Sequence, residues 1–434
     1  MKLERKEQSM ELLEKVLDGH NIAEAIEKVL SNNGAGGVDG VTIQQFKEDL
    51  KNGNINLEII KEQIRNRKYN PSPVRRVYIP KDNGDKRGLG IPTIIDRVIQ
   101  QAIVQVLSPI YEEQFSETSY GFRPNRRCEM AIIKLLEYFN DGDDWIVDID
   151  LQKFFDTVCH DKLISIIMRT VKDGNLVSLI RKYLVAGVME NGVYQETKIG
   201  TPQGGNLSPL LSNIMLNELD KELEKRGLKY TRYADDCIIV VKSEKAANRV
   251  MQSITKFLEK KLGLKVNVEK SKVARPTDIK YLGFGFYSSK GTYRPKPHIK
   301  SVEKLIQKIK DITSRSNAMS IIEKIIRLNQ IVMGWINYFR IADMKTLMKE
   351  VGEHTRHRLR MCIWKYWKKP KTKYKELIKL GTSEEKAYMV ANTRRGYYWV
   401  ACTVVLHMAL PNKLFKEKGL VFPLDHYLKV HIAI

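Results

Sequence analysis

The stretch KYTRYADDCIIVVKS, residues 229–243, decides the fold. Its two arms carry aromatic, β-branched and apolar residues, and Ala234-Asp235-Asp236 interrupts the run between them, so it reads as strand, tight turn and strand. Two carboxylates therefore sit at the tip of a hairpin whose second arm, CIIVV (237–241), is apolar throughout and asks to be buried. Upstream, WIVDID (145–150) is a second short apolar strand, closing on Asp150. Three aspartates at the ends of buried strands are costly, because like charges held together in a low-dielectric site cannot all stay ionised without a compensating cation. Hard oxygen ligands favour Mg²⁺, and two such ions about 4 Å apart are a recurring device for phosphoryl transfer.

Around these strands the chain alternates between helix and strand. Residues 1–30 read as helical, SNNGAGGVDGVT (31–42) as a glycine-rich loop, and RRVYIPKDNGDKRGLGIP (75–92) as a β-hairpin turning at Asp82-Asn83-Gly84-Asp85. IIDRVIQQAIVQVLSPIYEEQF (94–115) has helical periodicity and is expected to end near Pro109. TPQGGNLSPLLSNIMLNELDKELEKRG (201–227) is a loop followed by a helix with Ser208-Pro209 near its start. This interspersion predicts an α+β fold. From about residue 298 helices remain with little strand signal, as in IIEKIIRLNQIVMGWINYFR (321–340), where Ile321, Ile322, Ile325, Ile326, Ile331, Val332, Trp335, Ile336 and Phe339 are assigned to one apolar face. Asp141, Asp143 and Asp144 read as a solvated loop, while Asp148 shares the face of Asp150 by strand alternation.

The chain has 434 residues, 43% apolar and 29% charged, which is the composition of a soluble folded protein of two or three domains. Its charge is lopsided: 74 − 51 = +23, of which residues 291–434 carry 29 − 11 = +18 and residues 1–290 carry 45 − 40 = +5. A surplus of this size points to a polyanionic partner, nucleic acid or an anionic membrane. The N-terminus has no apolar signal core and the longest apolar run, near Trp399 to Leu410, is shorter than a bilayer span, so no membrane role is expected. Five cysteines, odd in number and without a C-x-x-C pair, suggest neither a disulfide framework nor a zinc module and fit a reducing cytoplasm. His354 and His357 lie three apart on a helix, with no third metal ligand at a suitable spacing.

At this point the residues resemble a family. The YADD box (233–236), DLQKFFD (150–156) and TPQGGNLSPLLSNIMLNELD (201–220) look like the reverse transcriptases of bacterial group II introns. The order also matches: the 79–92 hairpin, SYGFRPNRR (119–127), the first Asp box, the PQGG box, YADD, LGLKVNVEKSK (262–272) and YLGFGF (281–286). GWINYF (334–339), IWKYWKKPK (363–371) and NTRRGYYWV (392–400) resemble the family's thumb and maturase region. The resemblance implies a right-hand polymerase, with fingers and palm carrying a mixed antiparallel sheet, then an all-α thumb and a basic helical maturase-like region. The implied domains are an N-terminal helical extension and loop (1–40), fingers and palm (41–297), thumb (298–375) and a basic C-terminal extension (376–434). With nothing after Ile434, the expected form is the compact class without an H-N-H endonuclease, which takes its DNA primer from elsewhere.

The same resemblance implies roles for single residues. Asp150, Asp235 and Asp236 match the metal-binding triad for two Mg²⁺ ions, with Mn²⁺ as a substitute, and the backbone carbonyl of Leu151 is a further ligand. Phe155 matches the aromatic that presses on the sugar C2′ and excludes ribonucleotides. Lys81 and Arg87 match the residues that hold the incoming triphosphate, a task suited to charge-assisted bonds. Gln203 and Lys270 match positions near the nucleotide and template-primer, Gly204 and Gly205 permit close backbone approach, and Arg123 and Arg126 match template-phosphate contacts. The implied activity is RNA-directed DNA synthesis on an RNA template with a DNA primer and deoxynucleoside triphosphates. With it comes a maturase that binds group II intron RNA, aids splicing and reaches target DNA, in the cytoplasm and at the bacterial nucleoid. Stand-alone, domesticated, retron or diversity-generating relatives, and a splicing cofactor with secondary polymerase activity, are the rivals. Dimerisation is not readable from the sequence.

The segment RHRLRMCIWKYWKKPKTKYK (356–375) interleaves Arg356, Arg358, Arg360, Lys365, Lys368 and Lys369 with Trp364, Tyr366, Trp367 and Tyr374. Basic residues among aromatics are the composition of RNA-binding surfaces, charges taking phosphates and rings stacking on unpaired bases. Trp364 and Trp367 are equally suited to core packing.

Overall fold

A computed structural model describes residues 12–80, 84–201 and 204–434, and the predicted ligands Lys81 and Gln203 lie outside the described residues. The chain forms two compact units, residues 1–274 and 275–434. The division falls before the sequence boundary at 297, because the hairpin of 284–297 packs with the helical unit.

In the first unit the central sheet has the order β6-β7-β3-β8, all antiparallel: β3 is Trp145–Ile149, β6 Lys229–Tyr233, β7 Asp236–Val241 and β8 Lys272–Ala274. The burial expected of the apolar run 237–241 is realised, every residue from Cys237 to Val241 being buried. Val147, Ile149, Cys237, Ile239 and Val241 join one hydrophobic core with the 208–225 and 244–257 helices, none more than 9% exposed. Each fully buried aliphatic side chain there contributes about 1.5–3 kcal/mol. A second sheet has the order β2-β1-β4-β5: β1 is Val74–Pro80, β2 Lys86–Ile91, β4 Val188–Glu190 and β5 Val193–Gln195. Here β1 pairs with β2 antiparallel, as the hairpin reading requires, and with β4 in parallel.

Two local expectations are corrected. The 94–112 helix runs through Pro109 to Glu112: the proline has no N–H to donate to the carbonyl four residues back, yet the helix continues for three residues beyond it. Asp143 is not solvated: it is 5% exposed and accepts a bond from Lys229 Nζ at 2.7 Å, which anchors the loop before β3 to the start of β6.

The second unit opens with a hairpin, β9 (Phe284–Ser289) and β10 (Thr292–Pro297), followed by helices 299–312, 321–338 and 345–366 and shorter ones to Val430. On the 321–338 helix the buried stripe is Ile325, Leu328, Val332 and Ile336, continued by Phe339. Ile322 and Ile326 are about half exposed, since one residue's rotation carries them off a stripe spaced three and four apart. All five cysteines are free. Among the described residues no helix is long and apolar enough to cross a membrane.

Candidate active site

The register Ile149↔Cys237 sets the geometry, bringing Asp150, one residue beyond β3, alongside Asp236, one residue before Cys237 on β7. Asp235 occupies the β6–β7 turn between Ala234 and Asp236, so all three carboxylates converge at one end of the central sheet. The backbone of Asp150 is tied down from both sides. Its N–H donates to Ser271 Oγ at 3.0 Å, and its carbonyl accepts from Asn267 N–H at 2.8 Å. Lys270 Nζ stands 3.7 Å from Asp150 Oδ2, an exposed and therefore weak pair that leaves the carboxylate open to a stronger cation.

The electrostatics record crowding of like charges. Asp236 keeps an exposed edge, yet burial by the surrounding protein, then repulsion from Asp235, Asp148 and Asp150, push its carboxyl up to about 6, with Lys270 opposing. Asp235 is raised by burial, with its own backbone N–H and Arg87 opposing and Asp150 adding repulsion. Asp148 is raised to about 6 by burial, with Lys272 opposing. Among the described residues no three His, Cys, Asp or Glu side chains are already drawn together as a metal-ligand set. Carboxylates that repel one another across a solvent-open end of a sheet, and offer only oxygen donors, nonetheless suit a hard divalent cation. Asp150, Asp235 and Asp236, with the Leu151 carbonyl beside them, are the residues that would hold it.

Phe155 is half-buried on the short helix Phe154–Thr157, edge-on to Phe154 with ring centroids 5.2 Å apart. Its carbonyl accepts from Thr201 N–H at 2.6 Å, which docks Gly200 and Thr201 against it. At Gly200 (φ +92°) a Cβ would lie 2.9 Å from the Phe155 carbonyl oxygen, and at Gly204 (φ +118°) 2.5 Å from that of Gly90. The close approach expected of Gly204 is made, toward the protein's own backbone. Arg87 is exposed on β2, and its charge acts on Asp235.

The basic residues divide. Arg123 is 7% exposed: it pairs with Glu112 at 2.7 Å and donates to the carbonyls of Ser116 and Ser119, so it braces its loop and is not a surface cation. Arg126 is partly exposed and pairs with Glu117. In the second unit, Arg360 is 3% exposed, donates to the Leu410 carbonyl and to Asn412, and lies over Phe415. Arg358 donates to Thr313 and to the Lys310 carbonyl, and Arg356 lies over Phe422. Arg360 is an internal strut, which corrects its reading as an RNA contact, while Arg356 and Arg358 brace neighbouring elements with part of each side chain still exposed. Lys365, Lys368 and Lys369 remain exposed. Trp364 is 2% exposed and packs edge-to-face on Trp367, so core packing prevails over base stacking.

Sequence reasoning missed a buried ion pair behind the carboxylates, Arg232 with Asp220, both 0% exposed. A buried arginine demands a buried partner, but that Arg232 faces inward is decided by packing and carried no signal in the sequence.

An antiparallel palm sheet with carboxylates at the end of one strand and in the turn of the adjacent hairpin is the reverse-transcriptase fold, the fold of template-directed nucleotidyl polymerases that depend on divalent metal. The family model described as "Reverse transcriptase (RNA-dependent DNA polymerase)" matches residues 79–286, and that described as "Group II intron, maturase-specific domain" matches residues 302–381. Protein YkfC of Escherichia coli (strain K12) is 35% identical over 297 residues, 59% of this chain and 77% of that protein. The group II intron-encoded protein LtrA of Lactococcus lactis subsp. cremoris is 41% identical over 217 residues, 49% of this chain and 35% of LtrA. Among solved structures, a partial Cas6-RT-Cas1–Cas2 complex overlays 60% of this chain and 43% of that one at 26% identity and a TM-score of 0.37, too loose to carry a structural argument. The chain belongs to the group II intron reverse transcriptases that carry a maturase-specific domain.

Proposed function

We propose that the chain copies RNA into DNA at the end of the central sheet and binds the structured RNA of a group II intron through its basic helical unit. The observation that carries the reading is the convergence of Asp150, Asp235 and Asp236, imposed by the strand register and opposed by their mutual repulsion. Two Mg²⁺ ions, or Mn²⁺ in their place, would activate the primer 3′-hydroxyl and neutralise charge on the triphosphate. Asp150, Asp235 and Asp236, with the Leu151 carbonyl, would hold these ions, and Ser271 and Asn267 fix the Asp150 backbone in place. Lys81 and Arg87 on the hairpin, with Gln203 and Lys270, would hold the deoxynucleoside triphosphate. Phe155 would close the space beside the sugar C2′.

Fingers and palm would extend to about residue 297, the thumb from 298 to 375 and the maturase extension to 434, acting in the bacterial cytoplasm and on nucleoid DNA. Splicing assistance and movement into target DNA follow the maturase reading, favoured by a net +18 in residues 291–434 and the family match over 302–381. Since the chain spans about a third of LtrA, these whole-protein activities are proposals for it. Primer extension on an RNA template with Mg²⁺ tests the polymerase: the wild type extends, and appreciable synthesis by the Asp235→Ala, Asp236→Ala double variant rejects the assignment.

A further inference from the structure

We propose that Asp220, Arg232 and Asn213 form a buried positioning clamp that fixes the peptide carrying Asp235, and so sets how the carboxylates meet a divalent ion. The inference rests on the reading of Asp235 and Asp236 as ligands of that ion.

Tyr233 pairs with Asp236, so Ala234 and Asp235 are the whole loop of the hairpin. Ala234 has φ +58°, a left-handed conformation that glycine adopts freely and a residue with a Cβ does not. Such a conformation persists only where its surroundings over-determine it, and here they do so from two sides. Arg232 Nη1 donates to the Ala234 carbonyl at 2.9 Å, fixing the plane of the peptide that leads into Asp235. Gly121 packs against the preceding Tyr233–Ala234 peptide, where a Cβ would stand 2.2 Å from the Ala234 nitrogen.

The guanidinium is itself held. Its Nε and Nη2 make a forked pair with the two Asp220 oxygens, and Nη1 also donates to Asn213 Oδ1 at 3.0 Å. Asn213 Nδ2 then donates to the Gly121 carbonyl at 2.8 Å, so one amide joins both walls of the turn. Asp220 and Asn213 lie seven residues apart on the 208–225 helix and therefore on one face, which makes that helix the rigid base of the clamp. Arg232 accordingly spans the distance from this helix to the loop of the β6–β7 hairpin, and a peptide flip at Ala234–Asp235 would have to break its bond.

A buried ion pair is weak evidence for stability, because apolar residues of similar volume often replace one at no loss. That property separates positioning from mere support. Paramagnetic-resonance titration with Mn²⁺ and thermal melting are to be measured on the full chain for the wild type, Asp235→Asn, the Arg232→Met, Asp220→Leu double variant, and Arg232→Lys. The proposal expects the double variant to melt near the wild type while binding Mn²⁺ at least ~10-fold more weakly, the usual cost of losing a group that orients a metal ligand. Primer extension by it should lose kcat with the nucleotide KM little changed. Should the double variant fail to fold, Arg232→Lys decides, since it keeps the buried charge beside Asp220 but loses the planar fork that reaches Ala234. Wild-type Mn²⁺ binding in whichever of these folds overturns the clamp. Wild-type Mn²⁺ binding by Asp235→Asn overturns instead the reading on which the clamp rests.

Discussion

The two units treat charge in opposite ways. In residues 1–274 the decisive charges are few and negative, gathered at one end of a sheet where they repel each other and leave work for a cation. In residues 275–434 they are many and positive, and some of them serve the protein's own interior: Lys324, Arg360 and Lys373 are buried. Arg358 braces the end of the 299–312 helix, Arg360 reaches the Leu410 carbonyl, and Lys324, 1% exposed, donates to the Ile312 carbonyl. A carboxylate placed at a strand end thus announced its chemistry, whereas an arginine count overstated the surface available to RNA. Long cationic side chains carry both an apolar stem and a hydrogen-bonding head, so composition alone cannot tell strut from contact.

The largest effect that would break this contrast is at the sheet end. Asp150→Asn should cut extension of a DNA primer on RNA by on the order of 10³-fold or more, the scale for one member of a catalytic unit, with the circular dichroism spectrum unchanged. Near-normal extension would show that the carboxylate pattern is only structural. In chelator, Asp236→Asn should melt at or above the wild-type temperature, because it relieves repulsion from Asp235, Asp148 and Asp150. A clear drop in melting temperature would contradict the description of the site as electrostatically frustrated.

In the helical unit the effects should divide by burial. Arg360→Ala should cost about 1.5–3 kcal/mol, the range for hydrogen bonds made by a charged group, read as a lower melting temperature. Lys368→Ala and Lys369→Ala should each leave stability within about 0.5 kcal/mol. Where they touch phosphates, each should lower the salt dependence of RNA binding by about one unit of slope. The reverse pattern would exchange the roles of strut and contact.

The smallest effect concerns pH. His354, His357 and His407 are held below their usual value of 6.5 by burial and by neighbouring positive charges, Arg358 and Lys310 at the first and chiefly Arg360 at the others. The folded unit therefore binds fewer protons than the unfolded chain below about pH 6.5, so stability is intact above that value and declines as pH falls through it. Asp148 and Asp236, raised to about 6, act with the opposite sign over the same range. Melting curves from pH 7.5 to 5.5 are therefore compared between the wild type and a His354→Gln, His357→Gln, His407→Gln variant. A wild-type chain that lost no more stability toward pH 5.5 than the variant would count against neutral, packed histidines.

Much of the fold was legible. The apolar runs of 145–150 and 229–243 fixed two neighbouring strands and their carboxylate ends, and the hairpin of 75–92 was readable from its turn residues. What stayed hidden depended on facing. Asp143 looked like one more loop carboxylate until Lys229 was brought to it from a distant strand. Arg232 drew no reading from the sequence, because its partner Asp220 reaches it from a separate helix. Pro109 read as a stop, but the helix runs three residues past it. Such pairings are decided by tertiary packing, which spacing along the chain does not encode.

The account divides the molecule into a carboxylate engine and a basic RNA-binding unit, and one doubly read variant tests that division most directly. For the Asp235→Ala, Asp236→Ala chain, primer extension and the salt dependence of intron-RNA binding are to be measured on the same preparation. The account predicts that extension disappears while RNA affinity and its salt slope match the wild type. Extension that survives, or RNA binding that is lost together with it, would contradict the division.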